Sequence, residues 1–238
     1  MSVWNPWRGC HKKSEGCLNC YIHRANARKG IDTDIIYKTE EFYKPIEKDK
    51  KGNYKIKSGE TVYLCFNSDF LVEEADGWRN EAWNMMKARS DLNFMFITKR
   101  IERFKAGLPD DFEYTDDNVT VCISVENQKR ADERIPVLIE LPIKHKLIII
   151  QPMLEKINIE DYLDDTVEHV VIGGESGNAV RPLHYDWVLD IREQCIRKNV
   201  SFEFRQAGSI FIKDGITYKI QRQYLCSQAR KANINYSK

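Results

Sequence analysis

Six short hydrophobic runs follow one another along the chain at roughly regular distances. They are residues 61–66, 93–98, 119–124, 146–151, 168–173 and 200–205. Several of these runs are apolar almost throughout, which is typical of strands that are covered on both faces of a parallel sheet. A shorter run at residues 2–4 is a candidate first strand.

Segments with apolar residues at helical spacing lie between these runs. They are residues 22–29, 78–90, 127–141 and 186–198. Pro136 is expected to kink or shorten the third of these helices, because proline removes a backbone donor and clashes with the preceding turn. The last segment has a single apolar stripe, and Asp186 is its expected N-cap.

Strands that alternate with helices predict βαβ units and a parallel sheet. The number of strands favours an α/β fold of the partial (βα) TIM-type barrel class, and a doubly wound open sheet is the alternative. We expect residues 1–211 to form this barrel. The polar and basic residues 212–238 are expected to form a C-terminal appendage.

Composition narrows the class of protein. The 238 residues are 42% hydrophobic and 31% charged, which is typical of a globular protein. The net charge of +1 lacks the overall electrostatic footprint of an obligate nucleic-acid binder. No apolar run approaches the roughly 20 residues of a membrane span, and the first residues lack the layout of a signal peptide. We therefore expect a cytoplasmic protein without a membrane partner.

Three of the seven cysteines lie within eleven residues of one another. Cys10, Cys17 and Cys20 have the spacing C-x6-C-x2-C, and thiolates are soft ligands that select zinc, copper(I) or iron–sulfur clusters. A cubane cluster held by three cysteines keeps one iron open for a substrate or cofactor. His23 offers a fourth ligand, so a Cys3His zinc site is the alternative metal site.

Several motifs together carry a resemblance to a known family. They are residues 5–10 (NPWRGC), 16–21 (GCLNCY), 67–71 (NSDFL), 151–154 (QPML), 171–177 (VIGGESG) and 181–184 (RPLH). This pattern resembles a phage-associated three-cysteine-motif family of unknown function that is grouped with the radical S-adenosylmethionine (SAM) barrels. The likeness extends along most of the chain.

The resemblance implies a partial barrel with an N-terminal three-cysteine loop that holds a [4Fe–4S] cluster on Cys10, Cys17 and Cys20. SAM would bind the open iron and be cleaved reductively, which gives a 5′-deoxyadenosyl radical. The chain would then be a radical SAM enzyme that needs an electron donor. Its substrate is unidentified, with DNA or RNA as a candidate, and a protein partner is a further candidate. The alternative is a zinc-binding, nucleic-acid-interacting protein without radical chemistry.

Polar residues at the carboxyl ends of the predicted strands are the candidate cofactor-binding residues, because ligands sit at that edge in parallel α/β folds. These residues, with the tyrosine that follows Cys20, are Tyr21, Asn67, Ser68, Asp69, Thr98, Lys99, Ser124, Glu126, Gln151, Gly173, Gly174 and Glu175. By the resemblance, residues 67–69 occupy the place of a segment that binds the SAM ammonium.

Two pairs among these candidate cofactor-binding residues also have a structural interpretation. Gly173 and Gly174 permit the close backbone approach that an adenosine moiety needs, although a tight turn also uses glycine. Ser124 and Glu126 are expected to bind ribose or carboxylate. Glu126 is otherwise expected to form a structural ion pair with Lys99 or Arg130.

Overall fold

The computed structural model describes residues 2–106, 108–109, 117–177 and 179–238. The β-strands are β1 (Ser2–Trp4), β2 (Trp7–Arg8), β3 (Tyr37–Lys38), β4 (Thr61–Leu64), β5 (Asn93–Thr98), β6 (Val119–Ser124), β7 (His145–Ile150), β8 (Val167–Gly173), β9 (Leu183–His184), β10 (Ser201–Gln206), β11 (Ile210–Lys213) and β12 (Ile216–Lys219). The α-helices are α1 (Tyr21–Ala27), α2 (Asp76–Ala88), α3 (Gln128–Glu140), α4 (Tyr185–Arg197) and α5 (Leu225–Ala232). Short 3-10 helices lie at Glu15–Cys17, Glu40–Ile46, Glu73–Ala75, Ile101–Arg103, Glu160–Tyr162 and Arg222–Tyr224.

Seven strands form one large sheet in the order β1-β4-β5-β6-β7-β8-β10. The pairs β1–β4, β4–β5, β7–β8 and β8–β10 are parallel. A three-stranded sheet β12-β11-β9 and a two-stranded sheet β2-β3 accompany it. The predicted mixed α/β class with a large parallel sheet is therefore confirmed. Closure of the sheet into a partial barrel stays a prediction.

The predicted elements agree with the structure to within two residues at each boundary. Of the two detailed predictions about helices, the shortening at Pro136 does not occur and the N-cap at Asp186 is wrong. Helix α3 continues through Pro136 to Glu140. Helix α4 begins at Tyr185, so His184 is its N-cap and Asp186 lies in its first turn. The extended backbone of β9, which pairs with β11, ends at His184 and leads directly into the helix.

The described chain divides into two compact units. The first contains Met1–Lys13, Ile22–Cys122 and Pro142–His145, and the second contains Ser14–Tyr21, Ile123–Leu141 and Lys146–Lys238. The residues expected to form an appendage, 212–238, fall within the second unit, where Phe202 and Tyr236 exchange backbone hydrogen bonds of 2.7 and 3.0 Å. The expected boundary after residue 211 stays a prediction.

Aromatic packing at the end of β4 organises the first unit. The rings of Trp7 and Phe70 stack at 5.3 Å, and Trp83 meets Phe70 edge-on at 5.2 Å. The Trp7 indole N–H also donates to the Asp69 carbonyl at 3.1 Å. The rings are buried and the indole donor is satisfied, so this packing fixes the backbone immediately after β4.

The helices of the second unit place apolar stripes in its core. Ala131, Ile135 and Leu138 of α3 are fully buried, as is Cys195 of α4. These spacings of three to four residues keep one face of each helix in the core. Among the residues that the structure describes, no helix is long and apolar enough to cross a membrane.

Candidate functional site

Backbone contacts fix Cys10 within the first unit. Its N–H donates to the Thr33 carbonyl at 2.8 Å, and the preceding Gly9 carbonyl accepts from the Ser68 hydroxyl. Gly9 has a φ of +90°, and a Cβ there would lie 2.8 Å from the carbonyl carbon of Ile35. Only glycine fits this position without displacing backbone. Cys10 is partly exposed at the end of this segment.

Asp69, predicted to bind the SAM ammonium, is a buried hub for the neighbouring strand end. Its carboxylate accepts from the Thr98 hydroxyl at 2.7 Å and from the backbone N–H groups of Leu71 and Lys99 at 2.9 and 3.0 Å. It also accepts from Arg100 at 3.1 Å. Four protein donors occupy most of the acceptor sites of a carboxylate. The structure thus brings the predicted residues after β4 and β5 together through Asp69.

Arg100 connects Asp69 with the cysteine segment. One guanidinium nitrogen lies 3.1 Å from the Asp69 carboxylate and 4.0 Å from the Cys10 sulfur, and the other donates to the His11 carbonyl at 2.8 Å. Burial lowers the pKa of Arg100, but Asp69 and Cys10 outweigh burial and leave that pKa raised. A fixed positive charge here stabilises the negative charge of a ligating thiolate.

The other predicted residues of the first unit lie beside this hub. The Asn67 backbone N–H donates to the Asn5 side chain at 3.2 Å, and the Lys99 side chain is half-buried. Two further ligand-type residues, His11 and His23, line a separate cavity of about 550 Å³. His11 contacts Glu74 at 2.5 Å, and this hydrogen bond, against a smaller opposing effect of burial, raises the pKa of His11. Burial, followed by the charge of Lys12, lowers the pKa of His23.

Cys17 and Cys20 lie on one tight turn of the second unit. The Cys17 N–H donates to the Ser14 carbonyl at 2.9 Å, and the Cys20 N–H donates to the Cys17 carbonyl at 3.3 Å. Both thiols are partly exposed. Tyr21, which follows at the start of α1, is half exposed. The turn therefore offers two soft ligands three residues apart.

Glu126 anchors the start of this turn. Its carboxylate is 1% exposed, and it accepts from the Ser14 hydroxyl and from the Gly16 N–H at 3.1 Å. Its other oxygen pairs with Arg134 of α3 at 3.0 Å, and Arg134 also donates to the Ser124 carbonyl at 2.7 Å. The expected pairing of Glu126 with Lys99 or Arg130 is therefore wrong. Arg134 takes that role because its position on the buried face of α3 faces the strand end.

Arg130 instead pairs with Glu15, on the 3-10 helix that leads into the cysteine turn. Its guanidinium lies 2.9 Å from the Glu15 carboxylate. The Arg130 hydrogen bond is the main cause that lowers the pKa of Glu15 to about 2. This second contact, which is more exposed, reinforces the attachment of the turn to α3.

Glu175 anchors the other end of the turn. Its carboxylate accepts from the Asn19 side chain at 2.8 Å, from the Arg181 backbone N–H at 2.9 Å and from the Arg181 guanidinium. Burial acts to raise the pKa of Glu175, but the Arg181 and Asn19 donors outweigh burial and leave that pKa lowered. Glu175 is thus ionised, and its hydrogen bond with Asn19 holds the residue that precedes Cys20.

The two glycines before Glu175 have a packing role. A Cβ on Gly173 would lie 2.8 and 2.9 Å from the side chains of Gln151 and Gln206, and a Cβ on Gly174 would lie 2.8 Å from the Cα of Gly208. The end of β8 therefore approaches the segment after β10 too closely for any side chain. Gln151 helps to fill the space at Gly173, and Ser124 is buried at the end of β6.

Sequence reasoning missed the partners of the three carboxylates. Arg100, Arg134 and Asn19 were not among the predicted site residues, although each bonds one of the acids that were. The available signal was Arg134, a charged residue three positions after Ala131 on the apolar stripe of α3. Buried arginines are rare without a partner, so its position indicates a buried acid nearby.

The three cysteines imply a metal cluster, for which their thiols would be the ligands. In the part of the chain that the structure describes, no three His, Cys, Asp or Glu side chains are gathered as ligands of a metal ion. The chemistry of the donors fits such a cluster. Cys17 and Cys20 are partly exposed thiols on one turn, and Cys10 is a partly exposed thiol beside a guanidinium.

A family model described as "Protein of unknown function (DUF5131)" matches residues 1–233. No curated protein and no solved structure matches the chain. The match covers nearly the whole chain, including every cysteine and carboxylate described above.

Proposed function

This chain belongs to the DUF5131 family of proteins of unknown function, and we propose from its own residues that it is an iron–sulfur, SAM-dependent radical enzyme. Cys10, Cys17 and Cys20 hold a [4Fe–4S] cluster in this proposal. The observation that carries it is the attachment of the cysteine segments to buried carboxylates, since an exposed loop without a ligand to hold has no need of three charged anchors.

The proposal assigns separate tasks to the three acids. Glu126 and Glu175 hold the two ends of the Cys17–Cys20 turn, through Gly16 and Asn19 respectively. Asp69 orients Arg100 beside Cys10. Fixing a ligand's backbone in advance reduces the entropy that metal binding must otherwise overcome.

With SAM on its open iron, a reduced cluster supplies one-electron cleavage of SAM. Because Asp69, Glu126 and Glu175 are already partnered, we assign recognition of SAM to the other polar groups at the strand ends. The Lys99 ammonium is suited to the SAM carboxylate, and the Asn67 and Ser68 segment offers carbonyl groups to the SAM ammonium. An electron donor is required as a partner, and a nucleic acid remains a candidate substrate.

A zinc site on the same three cysteines and His23 is the second candidate. His23 shares its cavity with His11, which gives a nitrogen-rich surface in the first unit. Such a site would be structural, because four protein ligands leave no open position.

Metal and sulfide analysis of anaerobically purified protein separates the two candidates. We expect about four iron and four sulfide per chain in the wild type and in His23→Ala, with both lost in Cys17→Ala. One zinc per chain without sulfide, lost in Cys17→Ala and in His23→Ala alike, would contradict the radical enzyme. The His23 variant is the matched control, since it removes only the ligand that is specific to zinc.

A further inference from the structure

The C-terminal residues of the second unit form a cleft of about 730 Å³. Hairpin β11–β12, helix α5 and the start of α4 supply its walls. Its lining includes Tyr185, Phe211, Lys213, Tyr218, Lys219, Tyr224 and Lys231. The volume is within the range of sites that bind small molecules or single nucleotides.

The charged side chains of the described residues that line this cleft are all positive. Lys213, Lys219 and Lys231 are exposed around it, and no Asp or Glu is among the described residues that line it. Residues 212–238 contain six lysines and arginines and one aspartate, a net charge of +5. The chain as a whole carries +1, so the remainder carries −4. Positive charge is concentrated in the segment that forms the cleft.

Aromatic rings are interleaved with these lysines. Phe204 and Phe211 stack at 6.1 Å in the floor of the cleft, and Tyr185 meets Phe211 edge-on at 5.7 Å. Tyr218 and Tyr224 are 44% and 48% exposed, although tyrosine rings are usually more buried. Strand β12 is exposed along its whole length. Both tyrosines are therefore accessible at the surface of the cleft, where their rings can offer flat apolar faces to a ligand.

We propose that this cleft binds a single-stranded polynucleotide. Exposed rings stack on bases without regard to sequence, and surrounding lysines contact the phosphates. In a duplex the base faces are stacked on one another and cannot stack on the tyrosine rings. An acidic peptide would supply negative charge but few flat rings to stack on them. This binding does not depend on a cluster or on SAM, so it stands apart from the proposed enzymatic function.

Fluorescence anisotropy with the full chain tests the proposal. The probes are labelled oligothymidylate and oligouridylate of about 12 nucleotides, a length within the range of single-strand binding sites. We expect both to bind and the duplex to bind more weakly. Lys213→Glu with Lys219→Glu and Lys231→Glu should reduce the slope of log affinity against log salt by about 2, because three phosphate contacts are lost.

Matched variants separate a cleft from general charge. Lys50→Glu with Lys51→Glu and Lys57→Glu changes the net charge equally at exposed positions in the first unit and should leave affinity unchanged within about twofold. Tyr218→Ala with Tyr224→Ala should weaken binding about tenfold or more at any salt concentration, because stacking is lost. Circular dichroism of each variant checks that it is folded.

Three outcomes would overturn the proposal. They are the absence of oligonucleotide binding by the folded wild type, an equal loss in the two lysine triples, and competition by polyglutamate as strong as that by oligonucleotide with no effect of the tyrosine variant. The measurement is made on protein with and without bound metal. Oligonucleotide binding can therefore be judged even if the protein proves to hold no iron–sulfur cluster.

Discussion

The buried carboxylate of Glu126 accepts a hydrogen bond from the backbone N–H of Gly16 at 3.1 Å. These residues are 110 positions apart in the sequence, and Gly16 immediately precedes Cys17. The contact ties a cysteine-bearing turn to the end of β6. A Cβ on Gly16 would lie 3.2 Å from the Glu126 side chain, so the absence of a side chain allows the close approach.

Replacing Glu126 should destabilise the second unit. Glu126→Gln removes the charge opposite the buried Arg134, and uncompensated buried charge costs about 3 kcal/mol of unfolding free energy. Urea unfolding measures this change, and the exposed Glu140→Gln on α3 is the control. The double variant Glu126→Gln/Arg134→Met should be more stable than Arg134→Met alone. If the loss of unfolding free energy in the double variant equals the sum of the losses in the two single variants, Glu126 and Arg134 do not stabilise each other.

Gly9→Ala should disturb the Cys10 segment through a steric clash. Gly9 and Gly52 both have positive φ, +90° and +85°, but only Gly9 lies against other backbone. We expect Gly52→Ala to lower the unfolding free energy by about 1 kcal/mol, which is the cost of the left-handed conformation. Gly9→Ala should cost about 3 kcal/mol because Ile35 must also move. Equal losses in the two variants would show that the close approach to Ile35 is relieved without cost.

Arg100→Lys should weaken the hub around Asp69. Lysine has a single nitrogen, whereas Arg100 donates from two nitrogens of its planar fork, one to Asp69 and one to the His11 carbonyl. We expect a loss of about 2 kcal/mol in urea unfolding of the metal-free protein, and faster transfer of iron to a chelator from the loaded protein. Arg103→Lys, a half-buried arginine that pairs with Asp76, is the control. An iron transfer rate unchanged by Arg100→Lys would remove Arg100 from the metal site.

Stability should fall at alkaline pH because of Cys195. Burial raises the pKa of the Cys195 thiol from its ordinary 9.0 to about 12. The folded state therefore retains the proton that the unfolded state loses, so the contribution is full below pH 9 and declines as the pH rises toward 12. By pH 10 the wild type should lose about 1.4 kcal/mol more than Cys195→Ala does. Cys226→Ala, at an exposed position of α5, should follow the wild type; parallel curves for all three proteins would rule out this thiol.

The hydrophobic pattern predicted the buried parallel strands well because burial on both faces leaves a continuous apolar run. The run at residues 61–66 ended early in the structure, since Cys65 adopts a φ of +57° that a strand does not accommodate. Hairpin β11–β12 was not predicted as strands. Strand β12 has only four residues, and the alternation of Ile216 and Tyr218 with polar residues is too short to mark a strand within a polar segment.

The sequence identified several residues of the candidate site but not the roles that the structure gives them. The strand-end rule selected Asp69, Glu126 and Glu175, and the motifs of the resemblance contain Asp69 and Glu175 as well. Some of their hydrogen-bond donors come from distant parts of the chain, such as Asn19 for Glu175, 156 positions apart. Sequence spacing carries no record of such pairs, so an acid that anchors a loop and an acid that binds a ligand have the same pattern.

Reductive cleavage of SAM is the most direct test of the proposed chemistry. Anaerobically prepared protein with its cluster reduced by dithionite is incubated with SAM, and 5′-deoxyadenosine is quantified by chromatography. The account predicts 5′-deoxyadenosine from the wild type and from His23→Ala, and none from Cys20→Ala. Iron-loaded wild-type protein that binds SAM and yields no 5′-deoxyadenosine above the Cys20→Ala background would contradict it.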